Sequence, residues 1–550
     1  MPDTDQSPDE SPLNPEEAPD EDFGEGEESP EERSEDSAEV TGWDLVPEDV
    51  KEDLAGEPPP TMEELGLTPP EPAHDAPPPA EGEAESPPPG PPPVEEDFPG
   101  FDERDEGTAP DDEGEEEEEE PEPIPTPLGD IEVHHPSMGL LLLVVAAVYG
   151  LIVLFQLVLY GGNATSFLQV GEKRFAPAVT ERGEAALLPH PGSTNYTRDS
   201  FPAGTVVYND EGYDGAIYFL VAKDPFVVHR GSDSTDLNVF RWTGKALSNY
   251  RRVAYSALIY ALGLDNERLF PWAMLAINFL AVLVATWATA AVLKRHHIDI
   301  YLAGTLGLSA GMLFGFYYLT PVPMAVALVA LMALAHDRGF ELAGAFAAAL
   351  AALSWEMTLV VTVPIALHSL FTRRYGRWFL MTASVLPLVG ANFFFASRLG
   401  VSPWVGETGM IRLPLTGMFS GLVESFHVAE GITAVNLVRG AAVIPAMLFV
   451  AIVCVLGLWK FLQAGGPYSL ALFFAAFVTI SGYPDWWATF ANAARVNTFL
   501  FLLVLLAYVE HRDRHTRHPL ALGLVLTLMA LARIVAYASK DHYFLENFVN

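Results

Sequence analysis

The chain has 550 residues, a formal net charge of −43 at pH 7 and one cysteine. That residue, Cys454, lies in an apolar run, and a single thiol excludes both an intrachain disulfide and a cysteine-based metal site. Strong negative charge argues against nucleic acid as a ligand. The charge is concentrated in residues 1–136, which hold 49 of the 73 acidic residues and 3 of the 30 basic ones.

Residues 1–136 form an acidic, proline-rich tail with runs such as DDEGEEEEEEPEPIP. Because this composition cannot bury enough apolar surface to offset its ordering entropy, we predict a disordered tail. It has no basic start followed by an apolar core, so it is no signal peptide. Two apolar patches, 40–54 and 61–68, are either short helices that bind a cytoplasmic protein partner or residual hydrophobicity in a solvated tail.

The composition becomes apolar immediately after the tail. The first membrane-spanning helix is predicted at 137–160, because residues 138–160 carry no charge and could cross about 30 Å of hydrocarbon. Further apolar runs within 269–550 bring the expected count to about eleven transmembrane helices. The predicted fold class is therefore an all-α integral membrane protein, with a polytopic bundle at 269–550.

The loops set the expected orientation. Lys, Arg and His are dense in four of them, at 294–297, 336–338, 372–377 and 510–518. The positive-inside rule makes these loops cytoplasmic. We therefore expect a multi-pass membrane protein with its N-terminus in the cytoplasm and its C-terminus outside.

Residues 161–250 form the longest polar insertion of the body and are predicted to fold as a small cap over the first outer span, within an outer loop at 161–268. Near its end, the apolar stretch 251–264 would be only about 21 Å long as a helix, so we interpret it as interfacial. Earlier, the segment NDEGYDGAIYF (209–219) places three carboxylates within five residues. A solvated turn is one interpretation of this cluster, and a catalytic acid at the outer surface is another.

Charged groups at membrane depth are costly and default to functional hypotheses. Those of the body that stand out all fall on the predicted outer face. They are Asp210, Glu211, Asp214, Asp224, Arg251, Arg252, Glu356, Asp485 and Arg495. Asp485 precedes two tryptophans, so it is also consistent with an interfacial aromatic belt. The one-sided distribution is the strongest functional signal in the sequence.

Asp214 is the leading candidate for a general base. Gly212 and Gly215 flank Tyr213 and Asp214, so the backbone there can turn tightly and approach a ligand. The carboxylate would take a proton from an acceptor hydroxyl while a sugar leaves a phosphate. Arginines at the interface would stabilise the charge of that phosphate. A divalent metal ion bound by Asp210 and Asp214 is an alternative, but two carboxylates are too few ligands to argue for such a site.

The segments GYDGAIYFLVAKDP and YRRVAYSALIYALGL resemble a pattern found in prokaryotic polytopic membrane proteins that are similar to the C-type glycosyltransferase superfamily (GT-C). LSWEMTLVV is similar to a central acidic segment of that group, and ARVNTFLFLLVLL to its late arginine-containing span. The resemblance covers roughly residues 200–510 through short, degenerate motifs. It implies a GT-C-like fold and a polyprenyl-phosphate sugar as donor.

In this superfamily an acidic residue of the first outer loop is the catalytic base. The resemblance therefore implies that Asp214 is the base, with Asp210 and Glu211 as rivals. The resemblance places Arg251, Arg252 and Arg495 at the lipid phosphate and makes Glu356 the acidic residue of the central hairpin. We also predict that Tyr213 and Asp485 bind substrate. The sequence also departs from the pattern. Ala216 replaces the usual glutamine, Met357 follows Glu356, and Asn497 and Thr498 stand near the place of a late proline.

The sequence thus predicts an integral membrane glycosyltransferase that moves a sugar from a polyprenyl-phosphate donor to an unknown acceptor at the non-cytoplasmic face. A transporter or flippase-like protein is one alternative, and it would place essential charges near the bilayer midplane. A non-catalytic membrane scaffold is the other alternative, and its function would be unchanged by Asp214→Asn.

Overall fold

The computed structural model describes residues 137–175, 200–210, 212–228, 249–399, 413–426, 433–537 and 540–545. All of them belong to one unit of the chain, Ile124–Asn550. The predicted tail at 1–136 and the candidate residue Glu211 lie outside the described residues, so the expectations for them stay predictions.

Long apolar runs make most of this region helical, as the sequence predicts. The helices are α1 Met138–Leu159, α2 Gly215–Lys223, α3 Val253–Gly263, α4 Phe270–Arg295, α5 Ala303–Gly307, α6 Ala310–Tyr317, α7 Val322–Asp337, α8 Glu341–Ser354, α9 Leu359–Phe371, α10 Tyr375–Ala383, α11 Leu386–Leu399, α12 Thr416–Ser425, α13 Ala434–Ala464, α14 Pro467–Ile480, α15 Phe490–Val496, α16 Thr498–His511, α17 Arg514–Arg517 and α18 Pro519–Tyr537.

Helix α1 illustrates how local sequence sets the bounds of these elements. It begins where the Ser137 hydroxyl accepts a hydrogen bond from the Leu140 backbone N–H at 3.0 Å, a typical N-cap. It ends before Gly161 and Gly162, whose positive φ angles of 62° and 84° turn the chain away. The 22 residues between them match the predicted first span.

Six helical stretches of the described part are long and apolar enough to cross a membrane, or seven if the bent pair at 300–307 and 310–317 counts as one. Four shorter apolar helices accompany them, at Val322–Asp337, Glu341–Ser354, Glu356–Phe371 and Pro467–Ile480. A multi-pass membrane protein is therefore supported. The finer count of eleven requires every shorter helix to cross as well, and it stays a prediction.

The late span Phe490–His511, built from α15 and α16, lies at the centre of the bundle. In its most apolar 18-residue stretch 83% of the residues are buried, against 22% in that of α1, which lies at the periphery. Helices α8 and α14 pack against α7 and α16 respectively. A residue on α15 can therefore meet residues from both early and late parts of the chain.

A small three-stranded sheet marks one end of the bundle, which we call the sheet face. Its strands are β1 (Val170–Gly171), β2 (Val206–Tyr208) and β3 (His542–Phe544). β1 pairs with β2 in parallel, and β2 pairs with β3 antiparallel, with Val207 opposite Tyr543. The C-terminal segment therefore returns to the loop that follows α1, so both lie on the same face.

The basic loops meet one another at a second group of contacts, which we call the basic face. His296 Nε2 lies 2.7 Å from an Asp337 carboxylate oxygen, and Arg377 Nη2 lies 2.9 Å from His336 Nδ1. Lys460 forms an ion pair with Asp513. The prediction that these loops share one face agrees with these contacts.

The two faces give a testable topology. In a Cys454→Ala background, we expect Asp541→Cys on the sheet face and His297→Cys on the basic face to react with a membrane-impermeant maleimide from opposite sides of the membrane. Both positions are exposed. The measurement is labelling of intact cells compared with permeabilised cells. Equal labelling of both positions in intact cells would contradict the arrangement.

Candidate active site on the sheet face

The turn that carries the predicted base is fixed against β1. Gly212 has a φ angle of 65°, and a Cβ atom at this position would lie 2.4 Å from both Gln169 O and Gly171 N. The Tyr213 N–H donates to Gln169 O at 2.9 Å, and the Gly212 N–H donates to Asp210 Oδ1 at 2.8 Å. Only glycine fits this close approach, so the sequence G-Y-D holds Asp214 in one place.

Asp214 directly precedes α2, and its backbone oxygen accepts from the N–H groups of Ile217 (2.9 Å) and Tyr218 (3.1 Å). Its carboxylate makes no capping hydrogen bond to the helix. Instead, Oδ2 pairs with Arg495 Nη1 at 3.2 Å, across 281 residues of sequence. The Asp214 side chain is 35% exposed and that of Arg495 13% exposed, so the pair is within reach of a solvent-borne or lipid-borne group.

The charge state of Asp214 follows from its neighbours. Burial alone would raise the pKa of this carboxyl, but the guanidinium groups of Arg495, Arg174 and Arg252 outweigh it and lower the pKa below the usual range. Asp214 is therefore ionised at neutral pH. While Arg495 holds it, the same attraction makes it a weak base.

Arg495 is held by two further contacts. Its Nη2 donates to Asn492 Oδ1 at 2.6 Å, one turn earlier on α15, and its guanidinium carbon lies 5.8 Å from the centre of the Tyr213 ring. The Asn492 side-chain amide donates in turn to the Asp485 backbone oxygen at 3.0 Å. Asp485 thus supports the site at least through its main chain.

The predicted residues Arg251, Arg252 and Glu356 come together as a second ionic group. Arg252 Nε and Nη2 donate to Glu356 Oε2 and Oε1 at 2.9 and 2.7 Å, a bidentate pair, and Arg251 Nη2 lies 3.4 Å from Oε1. Glu356 occupies the break between α8 and α9. In this arrangement both arginines bind a protein carboxylate, whereas the sequence interpretation placed them at a lipid phosphate.

The two ionic groups are neighbours through α2. Arg252 Nη1 donates to the hydroxyl of Tyr218, and Tyr218 lies on the first turn of the helix that Asp214 precedes. Burial raises the pKa of Tyr218 to about 12, so its hydroxyl stays protonated at neutral pH. The structure therefore gathers the sequence-predicted residues Tyr213, Asp214, Arg252, Glu356 and Arg495 around one helix terminus.

Asp210 behaves differently from Asp214. It forms an ion pair with Lys540, in the C-terminal segment that leads into β3. No group of three or more His, Cys, Asp or Glu side chains within the described ranges could hold a metal ion. Because Asp210 and Asp214 each face a cation, the pair does not fit the divalent metal site that we considered from sequence.

Several residues of the site were not predicted from the sequence. Arg533 on α18 donates from Nη2 to the Tyr213 hydroxyl at 3.2 Å, and Tyr318 stacks on Tyr213 with ring centres 3.7 Å apart and planes 7° apart. A signal for Arg533 was present, because a lone arginine in an apolar span is costly. Nothing in the local sequence indicated the Lys540 contact.

No protein-family model, curated protein or solved structure matches the chain.

The fixed turn leads to a prediction with an internal control. We expect Gly212→Ala to lower the melting temperature in detergent more than Gly204→Ala. Both glycines have positive φ, at 65° and 79°, but only at Gly212 would the new Cβ meet backbone atoms, because nothing lies within 4 Å at Gly204. The measurement is intrinsic fluorescence during thermal unfolding. An equal shift for the two variants would show that Gly212 is required for its φ angle alone.

Proposed function

We propose that the chain is an integral membrane glycosyltransferase that transfers a sugar from a polyprenyl-phosphate donor to an acceptor on the sheet face. The observation that carries the proposal is the Asp214–Arg495 pair, a partly exposed carboxylate and guanidinium at one end of a membrane bundle. The resemblance of these segments to GT-C proteins, which places an acidic base in the first loop, supports the same conclusion.

Local charge supports a phosphate-bearing substrate. Three arginines pair with two carboxylates: Arg251 and Arg252 with Glu356, and Arg495 with Asp214. Two further arginines act on the same turn, since the charge of Arg174 lowers the pKa of Asp214 and Arg533 donates to the Tyr213 hydroxyl. Guanidinium groups bind phosphate with short, charge-assisted hydrogen bonds. An excess of them beside an ionised carboxylate suits a site that receives an anionic group.

The Asp214–Arg495 pair suggests how the donor activates the base. A phosphate group that pairs with Arg495 would take over the guanidinium that now holds Asp214. Losing this cation and gaining a nearby anion both raise the pKa of the carboxyl. Asp214 would therefore become a stronger base only when the donor is bound.

The reaction then follows from simple acid–base chemistry. The oxygen of an acceptor hydroxyl attacks the anomeric carbon of the sugar, and the bond between that carbon and the phosphate oxygen breaks. The hydroxyl proton passes to Asp214. Arg495 stabilises the charge on the departing polyprenyl phosphate. The products are the glycosylated acceptor and the free lipid phosphate.

The orientation of the site is part of the proposal. The basic face is rich in Lys, Arg and His and is assigned to the cytoplasm by the positive-inside rule. The sheet face, with the site and the C-terminal strand, is then non-cytoplasmic, as expected for an enzyme of the bacterial inner membrane that uses lipid-linked sugars. The acidic tail begins on the cytoplasmic side, where a protein partner would meet it.

A direct test uses the purified protein in lipid nanodiscs with a panel of polyprenyl-phosphate sugars and an acceptor mixture. We expect wild-type protein to release polyprenyl phosphate, and Asp214→Asn to lower the rate by about 10²- to 10⁴-fold, the usual contribution of a general base. Asp541→Asn, which removes an exposed carboxylate on the same face, is the matched control and keeps the wild-type rate.

Two results would contradict this account. Equal release by Asp214→Asn and wild type would remove Asp214 as the base. Absence of release from every donor, with all three proteins folded, would refute the glycosyltransferase and favour the transporter or scaffold alternatives.

A further inference from the structure

The last span contributes a cation to the site. Helix α18 is apolar over most of its length, yet Arg533 lies four residues before its end at Tyr537, about 6 Å along the helix axis. An arginine in a membrane span costs free energy and needs a reason to be there. This position lies beyond the segments that resemble GT-C proteins, so that resemblance assigns it no role.

Arg533 and Arg495 approach the same aromatic stack. The Tyr318 ring stacks between those of Tyr213 and Phe314. Its centre lies 3.7 Å from that of Tyr213 and 5.7 Å from that of Phe314, and the planes are within 8° of parallel. The Arg495 guanidinium carbon lies 5.8 Å from the Tyr213 ring centre, and that of Arg533 lies 5.9 Å from the Phe314 ring centre. Tyr213 contacts both arginines, since its ring faces the Arg495 guanidinium and its hydroxyl accepts a hydrogen bond from Arg533.

The two arginines contact consecutive residues of the fixed turn. Arg495 binds Asp214, and Arg533 donates to the hydroxyl of Tyr213, the residue immediately before it. A phosphate has enough acceptor oxygens for both guanidinium groups at once. A phosphate that bound both guanidinium groups would release the side chains of Tyr213 and Asp214 together.

We propose that Arg533 is a second phosphate ligand, which binds the lipid-borne phosphate together with Arg495 and exchanges the Tyr213 hydroxyl for a phosphate oxygen. This inference rests on the proposed function, since it names a further ligand of the same donor. It makes the last span part of the donor site. It also gives Tyr213 the role of a positioning residue, which holds Arg533 when no donor is bound.

The experiment measures equilibrium binding of polyprenyl phosphate, without sugar, to the full-length protein in nanodiscs. We expect Arg533→Gln to weaken binding by about 10- to 100-fold, the effect of losing one hydrogen bond to a charged group. Arg533→Lys should recover part of this loss. Arg295→Gln, which removes an exposed arginine on the basic face, is the control and should bind like wild type.

A second variant predicts a change of the opposite sign. Tyr213→Phe keeps the ring stack and removes only the hydroxyl that competes for Arg533. We therefore expect polyprenyl phosphate to bind about two- to threefold more tightly than to wild type, which is less than the effect of one complete hydrogen bond. Inorganic phosphate is tested alongside as a free probe. Binding of inorganic phosphate as tight as that of the lipid would show that the site does not recognise a lipid-borne group.

The outcomes separate this inference from the proposed function. Wild-type binding that is lost in Arg495→Gln but unchanged in Arg533→Gln would overturn the role of Arg533 and leave the enzyme standing. The same holds if Tyr213→Phe weakens binding as strongly as Arg533→Gln, because the phenol would then be a ligand itself. Absence of binding by wild-type protein would overturn both.

Discussion

The ion pair between Asp214 and Arg495 is the interaction on which the rest of the sheet face depends. It joins the loop after α1 to the centre of the bundle across 281 residues. Taking both charges out of water is expensive, and a buried pair often contributes little net stability. Partial exposure of Asp214 lowers this cost and leaves the pair open to exchange. The pair is therefore better suited to a site that an anion can enter than to a structural link.

The contrast between the two faces supports this interpretation. On the basic face, carboxylates have roles in holding the helices: Asp337 bridges α4 and α7 through His296, and Asp513 pairs with Lys460. Glu510 caps α14, accepting the Tyr468 and Ser469 N–H groups at 2.8 and 3.0 Å, where a helix N-terminus favours a negative group. On the sheet face three arginines pair with two carboxylates, and the partly exposed Asp214–Arg495 pair is within reach of a phosphate.

The sequence predicted the membrane class, the first span and the one-sided grouping of charges, because hydropathy and loop charge are local properties. It could not predict which charges pair. Arg251 and Arg252 were expected at a phosphate, but they bind Glu356, which reaches them only through the folding of the α8–α9 hairpin. Arg533 stands out in the sequence as a lone arginine in an apolar span, but its contact with Tyr213 could not be predicted, since the two residues are 320 positions apart. Strand β3 is three residues long, too short to give an alternating pattern, and its pairing partner is equally remote.

The central claim is that a lipid phosphate competes with Asp214 for Arg495, and one measurement tests it most directly. Polyprenyl-phosphate affinity should be measured for wild type, Asp214→Asn, Arg495→Gln and the double variant in nanodiscs. Competition predicts that Asp214→Asn tightens binding, that Arg495→Gln weakens it, and that Asp214→Asn tightens binding less in the Arg495→Gln background, where only the direct repulsion between carboxylate and phosphate is removed. Weaker binding by Asp214→Asn would mean that the carboxylate supports the anion site instead of competing for it, and would contradict the account.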